Sequence, residues 1–160
     1  MFEKFYVNAI NSDEKIDTDR HFCLMAGLVS MQSPCIRRKY GAVIVKDDRV
    51  ISVGCNTFPK EIKTVCTKDD CIREQGNLPH GKGYQGTCNV IHAEVNAIIN
   101  ADPTDLIGSK LYLVGFDCKT NTFIAGLPCE LCQPIIVNSK IERIITIQDN
   151  FNYIWNRPVL

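Results

Sequence analysis

Two periods of hydrophobic and polar positions divide this chain. Phe22, Met25, Ala26, Val29 and Ser30 recur at helical spacing and predict a helix over 17–33 with one buried face. Asp17 or Thr18 can cap it, and Ser33-Pro34-Cys35 ends it. The period then changes. Gly41–Lys46 and Arg49–Gly54 are short apolar runs separated by Asp47-Asp48, a strand–turn–strand signal. Residues 57–91 carry no long apolar run. Helical spacing returns from His92 to about Ala101, with Ala93, Ala97, Ile98 and Ala101 on the apolar face and Asp102-Pro103 as the stop. Lys110–Gly115 predicts a buried strand, 116–127 a loop or short hairpin, Cys129 to about Ser139 a helix, and Ile141–Ile147 a further strand. The tail at 151–155 reads as irregular packing or an oligomer contact anchored by Tyr153 and Trp155, ahead of a fifth strand. Residues 1–16 suggest a short arm or helix. The alternation predicts an α/β fold in which a hairpin joins parallel strands.

Composition narrows the function. A chain of 160 residues with 45% hydrophobic content is expected to be one domain with a real core. Eighteen basic residues balance 18 acidic ones, which argues against a nucleic-acid polymer as partner and fits a small substrate. No apolar run approaches the ~18 residues that span a bilayer, so no membrane partner is expected. The first residues, Met1 to Tyr6, lack a signal-peptide apolar region, and a cytoplasmic location is expected. Nine cysteines is a high and odd number, better suited to thiolate–metal chemistry than to a disulfide framework.

The candidate chemistry lies in His92-Ala93-Glu94 and, 36 residues after His92, Pro128-Cys129-Glu130-Leu131-Cys132. One His and two Cys supply three zinc ligands and leave a fourth position open, the arrangement of a catalytic zinc. Cys129 and Cys132, at i and i+3, share a side at the start of a helix, whose N-terminus favours thiolate. Glu94 is about 200° from His92 around a helix and suits a proton carrier better than a fourth ligand. Taken singly, a Cys-x-x-Cys is equally a structural zinc knuckle or a thiol pair. Both motifs in this order are far more specific.

At these residues the chain resembles the cytidine/deoxycytidylate deaminase superfamily, and most of all its deoxycytidylate branch. The resemblance covers about residues 18–147 and implies a three-layer α/β/α sandwich with a mixed central sheet. It implies a zinc-dependent aminohydrolase converting dCMP to dUMP and ammonia, with catalytic zinc on His92, Cys129 and Cys132. Glu94 would move protons between water, cytosine N3 and the leaving amine. The backbone at Ala93 would contact the exocyclic amine. Asn56, in Gly54-Cys55-Asn56-Thr57, keeps the polar position of the branch's Gly-Tyr-Asn-Gly and would bind substrate. Cys55 and Thr57 depart from that pattern, which puts the dCTP/dTTP regulation of some relatives in doubt. Relatives commonly assemble, so a homo-oligomer, in this branch often a hexamer, is implied.

The segment 57–91 is long for a structureless loop, and a metal could hold it. Cys66, Cys71, Cys88 and the earlier Cys35 could make a closed four-thiolate site, hence structural. The branch often carries such a second zinc, and these four positions match its pattern; four unrelated reduced thiols is the alternative. His80 could replace one Cys. Gly81, Gly83, Gly86 and Tyr84 suggest a lid. The basic run Arg37-Arg38-Lys39 is either a solvated turn or an attractor of substrate phosphate, for which Arg73 and Lys82 are further candidates. Three rival readings remain: a deaminase of another nucleotide, nucleoside or base; a zinc-stabilised binding module without turnover; and a competence or phage-defence protein using the domain for signalling or nucleotide depletion.

Overall fold

The computed structural model describes residues 17–62, 66–79, 88–148 and 153–159. The arm at 1–16, the glycine-rich lid segment, His80 and Lys82 lie outside the described residues. Helix α1 spans Thr18–Ser30, and Asp17 is its cap, its carboxylate accepting from the Arg20 N–H at 2.9 Å. The expected hairpin forms from β1 (Arg38–Lys46) and β2 (Arg49–Cys55). Asp47 and Asp48 both turn through positive φ, 49° and 57°, as a two-residue turn matched to strand twist requires.

Next come α2 (Ile72–Gln75), α3 (Ala93–Ile99), α4 (Pro103–Leu106) and β3 (Lys110–Asp117). A short strand β4 (Thr122–Ala125) returns along the end of β3, so 116–127 is the hairpin alternative. Helix α5 (Cys132–Asn138) leads to β5 (Arg143–Gln148), and β6 (Tyr153–Pro158) follows. The sheet order is β2-β1-β3-β5-β6, with β4 on β3. Only β3 and β5 are parallel; the other pairs are antiparallel. The sheet is therefore mixed.

The tail corrects the expectation of irregular packing. β6 pairs with β5 along its whole length, from Arg143↔Pro158 to Gln148↔Tyr153. Four residues, 149–152, separate these strands. That is too short for a parallel crossover, which needs about a dozen, so an adjacent return must be antiparallel.

Alternation along the strands feeds two cores. Val43, Val45, Tyr112, Val114, Ile145 and Ile147 point toward Phe22, Cys23 and Ala26 of α1. Ala42, Ile44, Leu111, Leu113 and Ile144 point the other way, toward Ala93, Ala97, Leu106 and Ile136 of α3, α4 and α5. This is the three-layer α/β/α sandwich expected. Two glycines set how closely the layers approach. A Cβ on Gly41 would stand 2.0 Å from the Ala26 carbonyl oxygen, and one on Gly54 2.4 Å from the Ala97 nitrogen. Tyr112 adds a polar tie, donating to Asp19 at 2.7 Å.

The insert is closed at its base. Thr57 and Ile91 exchange backbone hydrogen bonds of 3.1 and 2.8 Å. Helix α2, inside it, buries none of its residues. Arg37 fastens it to the sheet, its Nε 2.7 Å from Glu74 and its Nη2 donating to the Leu78 carbonyl at 2.6 Å. Among the described residues, no helix is long and apolar enough to cross a membrane.

Candidate active site

Helix α3 stands where it does because β2 holds it. The Ser52 hydroxyl donates to the Ala97 carbonyl at 2.7 Å, and the Asn96 amide donates to the Cys55 carbonyl at 2.7 Å. The missing side chain of Gly54 lets the first turn of α3 come close. His92 is the N-cap residue of that helix, with extended φ −69° and ψ 153°. The helical angle between His92 and Glu94 therefore does not apply, and both residues line the same cavity.

The second motif arrives on α5. The expected helix from Cys129 begins instead at Cys132, with Cys129 in the turn before it. Pro134 has no N–H to give to the Glu130 carbonyl, so a regular helix cannot start a full turn earlier. The Cys129 carbonyl accepts from Cys132 and Gln133, both at 3.0 Å, which fixes the two sulfurs relative to each other. Ile136, fully buried, anchors α5 against the sheet core.

The geometry converges. His92 Nδ1 lies 3.4 Å from Cys129 Sγ and 3.3 Å from Cys132 Sγ, and the three donor atoms all fall within 4.8 Å of one another. A tetrahedral zinc with bonds of about 2.0–2.3 Å has donor–donor edges of about 3.5–3.8 Å. The residues present fit that ion. Electrostatics point the same way. Burial, then the charges of Glu94 and Cys129, push the Cys132 thiol far up. Burial, then the Arg73 charge, hold His92 below its ordinary value. Burial raises the Glu94 carboxyl, against its own backbone N–H and a bond to Cys132. A neutral imidazole beside two sulfurs that cannot share negative charge unaided is a set that a cation stabilises.

These groups open onto a cavity of about 670 Å³. Glu94 is 5% exposed at its wall. Ala93 and Asn56 line it as well. The Asn56 side chain is already engaged, accepting from the Tyr40 N–H at 2.6 Å and donating to the Arg38 carbonyl at 3.1 Å. One amide hydrogen and one oxygen lone pair are left by those bonds. Of the basic run, Arg37 and Arg38 reach the cavity, as does Arg73 from the insert. Sequence reasoning missed Tyr40, Leu127 and Leu131, which also line it. Tyr40 shares a strand face with Ala42, and that alternation was the available signal.

The four-cysteine set is looser. The charges of Cys35, Cys71 and Cys88 all act on Cys66, whose thiol burial and these neighbours push up to about 11. The four therefore share one neighbourhood. Among the described residues, only the His92 group is drawn within 4.8 Å. All nine cysteines are free.

Comparison with known proteins agrees with this geometry. The profile of the cytidine and deoxycytidylate deaminase zinc-binding region matches residues 16–148. The chain belongs to that family. A deoxycytidylate deaminase of Mycobacterium phage D29 is 35% identical over 133 residues, covering 81% of this chain and 93% of its own. A probable deoxycytidylate deaminase of Caenorhabditis elegans is 30% identical, covering 92% of this chain and 69% of its own. The deaminase fold is seen again in the dCMP deaminase of cyanophage S-TIM5, solved with dCMP and dUMP. Its TM-score is 0.55 at 23% identity, over 82% of this chain and 81% of that one. The His92, Cys129 and Cys132 cluster lies within the residues that this zinc-binding profile matches.

Proposed function

We propose that the protein hydrolyses dCMP to dUMP and ammonia, with zinc on His92, Cys129 and Cys132 and with Glu94 as the proton carrier. One observation carries the reading: three donor atoms at zinc spacing share a cavity with a buried carboxyl, in a chain whose relatives are deoxycytidylate deaminases. When bound, zinc supplies the Lewis acidity that lets water lose a proton near neutral pH. Glu94 accepts that proton. Its burial favours the neutral carboxyl, so it can hold the proton and release it to cytosine N3. The water oxygen adds to C4, and the C4–N bond breaks as the second proton reaches the amine through Glu94. Glu94 itself is nearly closed off from solvent, 5% exposed. The backbone at Ala93 faces the exocyclic amine, and the remaining capacity of Asn56 meets the sugar.

A second, structural zinc on Cys35, Cys66, Cys71 and Cys88 belongs to the same reading, supported by their mutual electrostatic influence. Binding would draw the sulfurs together. The chain is one catalytic domain of a homo-oligomer. Exposed Leu127 and Leu131, 61% and 55% accessible at the cavity rim, support assembly. Nine unpaired thiols suit a reducing compartment, the cytoplasm.

The test is ammonia release from zinc-loaded protein given dCMP, dCTP, CMP, deoxycytidine, cytosine, adenine or guanine separately. We expect dCMP turnover, falling about 10²- to 10⁴-fold in Glu94→Gln with zinc content unchanged. Turnover of another compound moves the substrate. Silence across the panel overturns the enzyme reading and leaves a zinc-stabilised binding module.

A further inference from the structure

Asn56 continues a strand ladder with its side chain. The residue pairing of β1 with β2 ends at Gly41↔Cys55. Beyond it the Asn56 N–H still donates to the Tyr40 carbonyl at 3.2 Å. The side chain takes the next rung, accepting from the Tyr40 N–H at 2.6 Å and donating to the Arg38 carbonyl at 3.1 Å. Turned end for end, the amide would set N–H against N–H and oxygen against oxygen. The polarity of the β1 backbone therefore fixes its orientation. The Asn56 backbone is held as well, its carbonyl accepting from the Ser33 hydroxyl at 2.7 Å. Residues 38–40 thus aim what Asn56 has left for the cavity. They are held in turn by β3, through the pairs Arg38↔Asp117, Lys39↔Phe116 and Tyr40↔Gly115. Two bonds close that end of the ladder. The Cys118 N–H donates to the Arg37 carbonyl at 3.0 Å, and Arg38 Nε donates to Asp117 Oδ2 at 3.0 Å. Asp117 is buried, and its Oδ1 accepts from the N–H groups of Lys119 and Thr120 at 2.9 and 3.2 Å. Each carboxylate oxygen has its own task. Arg38 lines the cavity and Asp117 does not.

Resting on the deaminase reading above, we propose that Asp117 and Arg38 are positioning residues: their cross-strand pair fixes the β1 backbone that aims the Asn56 amide at the sugar of the substrate. dCMP has one free sugar hydroxyl, at C3′, able both to donate and to accept. It matches the one N–H and one lone pair that Asn56 retains. When the pair is broken, residues 38–40 shift, the amide turns with them, and the hydroxyl loses its partner. The zinc ligands stand at the starts of other elements, α3 and α5. The pair therefore governs binding through the sugar and leaves the chemistry at C4 alone.

The experiment compares zinc-loaded wild type with Asp117→Asn, Arg38→Gln, Arg38→Lys and Tyr112→Phe. In Asp117→Asn the turn keeps the oxygen, and the new amide nitrogen faces Arg38, donor against donor. Tyr112→Phe removes a tie on the opposite face of β3 and reports what destabilisation alone does. Two quantities are read: the kcat/KM ratio of dCMP to 2′,3′-dideoxycytidine monophosphate, and solvent exchange of the Asn56 side-chain amide by NMR. The ratio is expected to fall about 3- to 10-fold in Asp117→Asn and Arg38→Gln, through KM with kcat held, and to recover in part in Arg38→Lys. Amide exchange should speed up about tenfold in the first two variants. Tyr112→Phe should change neither. The double variant Arg38→Gln with Asp117→Asn should lose no more than either alone, because one pair is broken. An unchanged ratio in Asp117→Asn overturns the proposal, as does an equal loss for both substrates or the same loss in Tyr112→Phe. Wild type that does not prefer the 3′-hydroxyl overturns it too. If wild type turns over neither compound, the deaminase reading fails, and the Asn56 exchange rates still decide whether the pair holds the amide.

Discussion

Two groups of cysteines sit close together in this protein and differ in how they are held. Cys132 starts a helix whose Ile136 is fully buried, and His92 caps a helix whose Ala93 and Ala97 are fully buried. The sheet core positions both, and their donor atoms stand at coordination spacing. Cys66 and Cys71 lie on an insert whose one described helix buries nothing. They gather around Cys35 and Cys88 without closing to that spacing. The difference is instructive. Preorganised donors come from elements already anchored by hydrophobic burial, whereas a polar segment depends on bonds, or on the metal itself, to bring its ligands together.

The sharpest way to break the comparison is to remove one thiol from each group. Cys132→Ser should abolish turnover, by at least about 10³-fold, and remove the catalytic zinc while the melting temperature shifts little. Cys71→Ser should leave the catalytic zinc in place, reduce dCMP turnover by about tenfold, and open the insert to protease. Metal analysis, kinetics and limited proteolysis on both variants check this. Equal losses from the two would mean that the groups are one cooperative unit.

A smaller effect tests the anchoring of α3. Gly54→Ala places a methyl against the Ala97 nitrogen and the Ala93 carbonyl, at 2.4 and 2.6 Å. Both atoms are backbone of α3, which cannot swing aside as a flexible side chain would, so the variant should lose about 1–3 kcal/mol of stability, read as a lower midpoint in urea. Activity should fall with it, because His92 caps the helix being displaced.

The smallest concerns Asp117, the partner of the cavity-lining Arg38. Burial opposes ionisation of Asp117, but the Arg38 bond and the N–H groups of Thr120 and Lys119 outweigh it and hold the carboxyl below its ordinary value. A depressed acid stabilises the fold above its unfolded pKa, about 3.9, and loses that contribution as pH falls through the lower folded value. Wild type should therefore exceed Asp117→Asn in thermal stability near pH 6. The gap should shrink as pH falls below about 4. A gap constant with pH would assign Asp117 a packing role alone.

Much of the site was legible in the chain because its chemistry is local. His92-x-Glu94 and Cys129-x-x-Cys132 each fix a small set of donors within a few residues. The helices and strands that carry them follow from the 3.6 and 2.0 periods of apolar residues. The sandwich was legible for the same reason, since alternate strand positions such as Val43 and Ile44 must each find a covering layer. What the tertiary structure alone decided is long-range. It paired the tail with β5 as a strand and brought His92 and Glu94 to one cavity wall. It also separated Arg38, bound to Asp117 at a distance of 79 residues, from Arg37, whose buried Nη1 has no partner among the described residues. Adjacent arginines look alike in a sequence; their difference is made by which distant carboxylate or carbonyl each one meets, and only packing sets that.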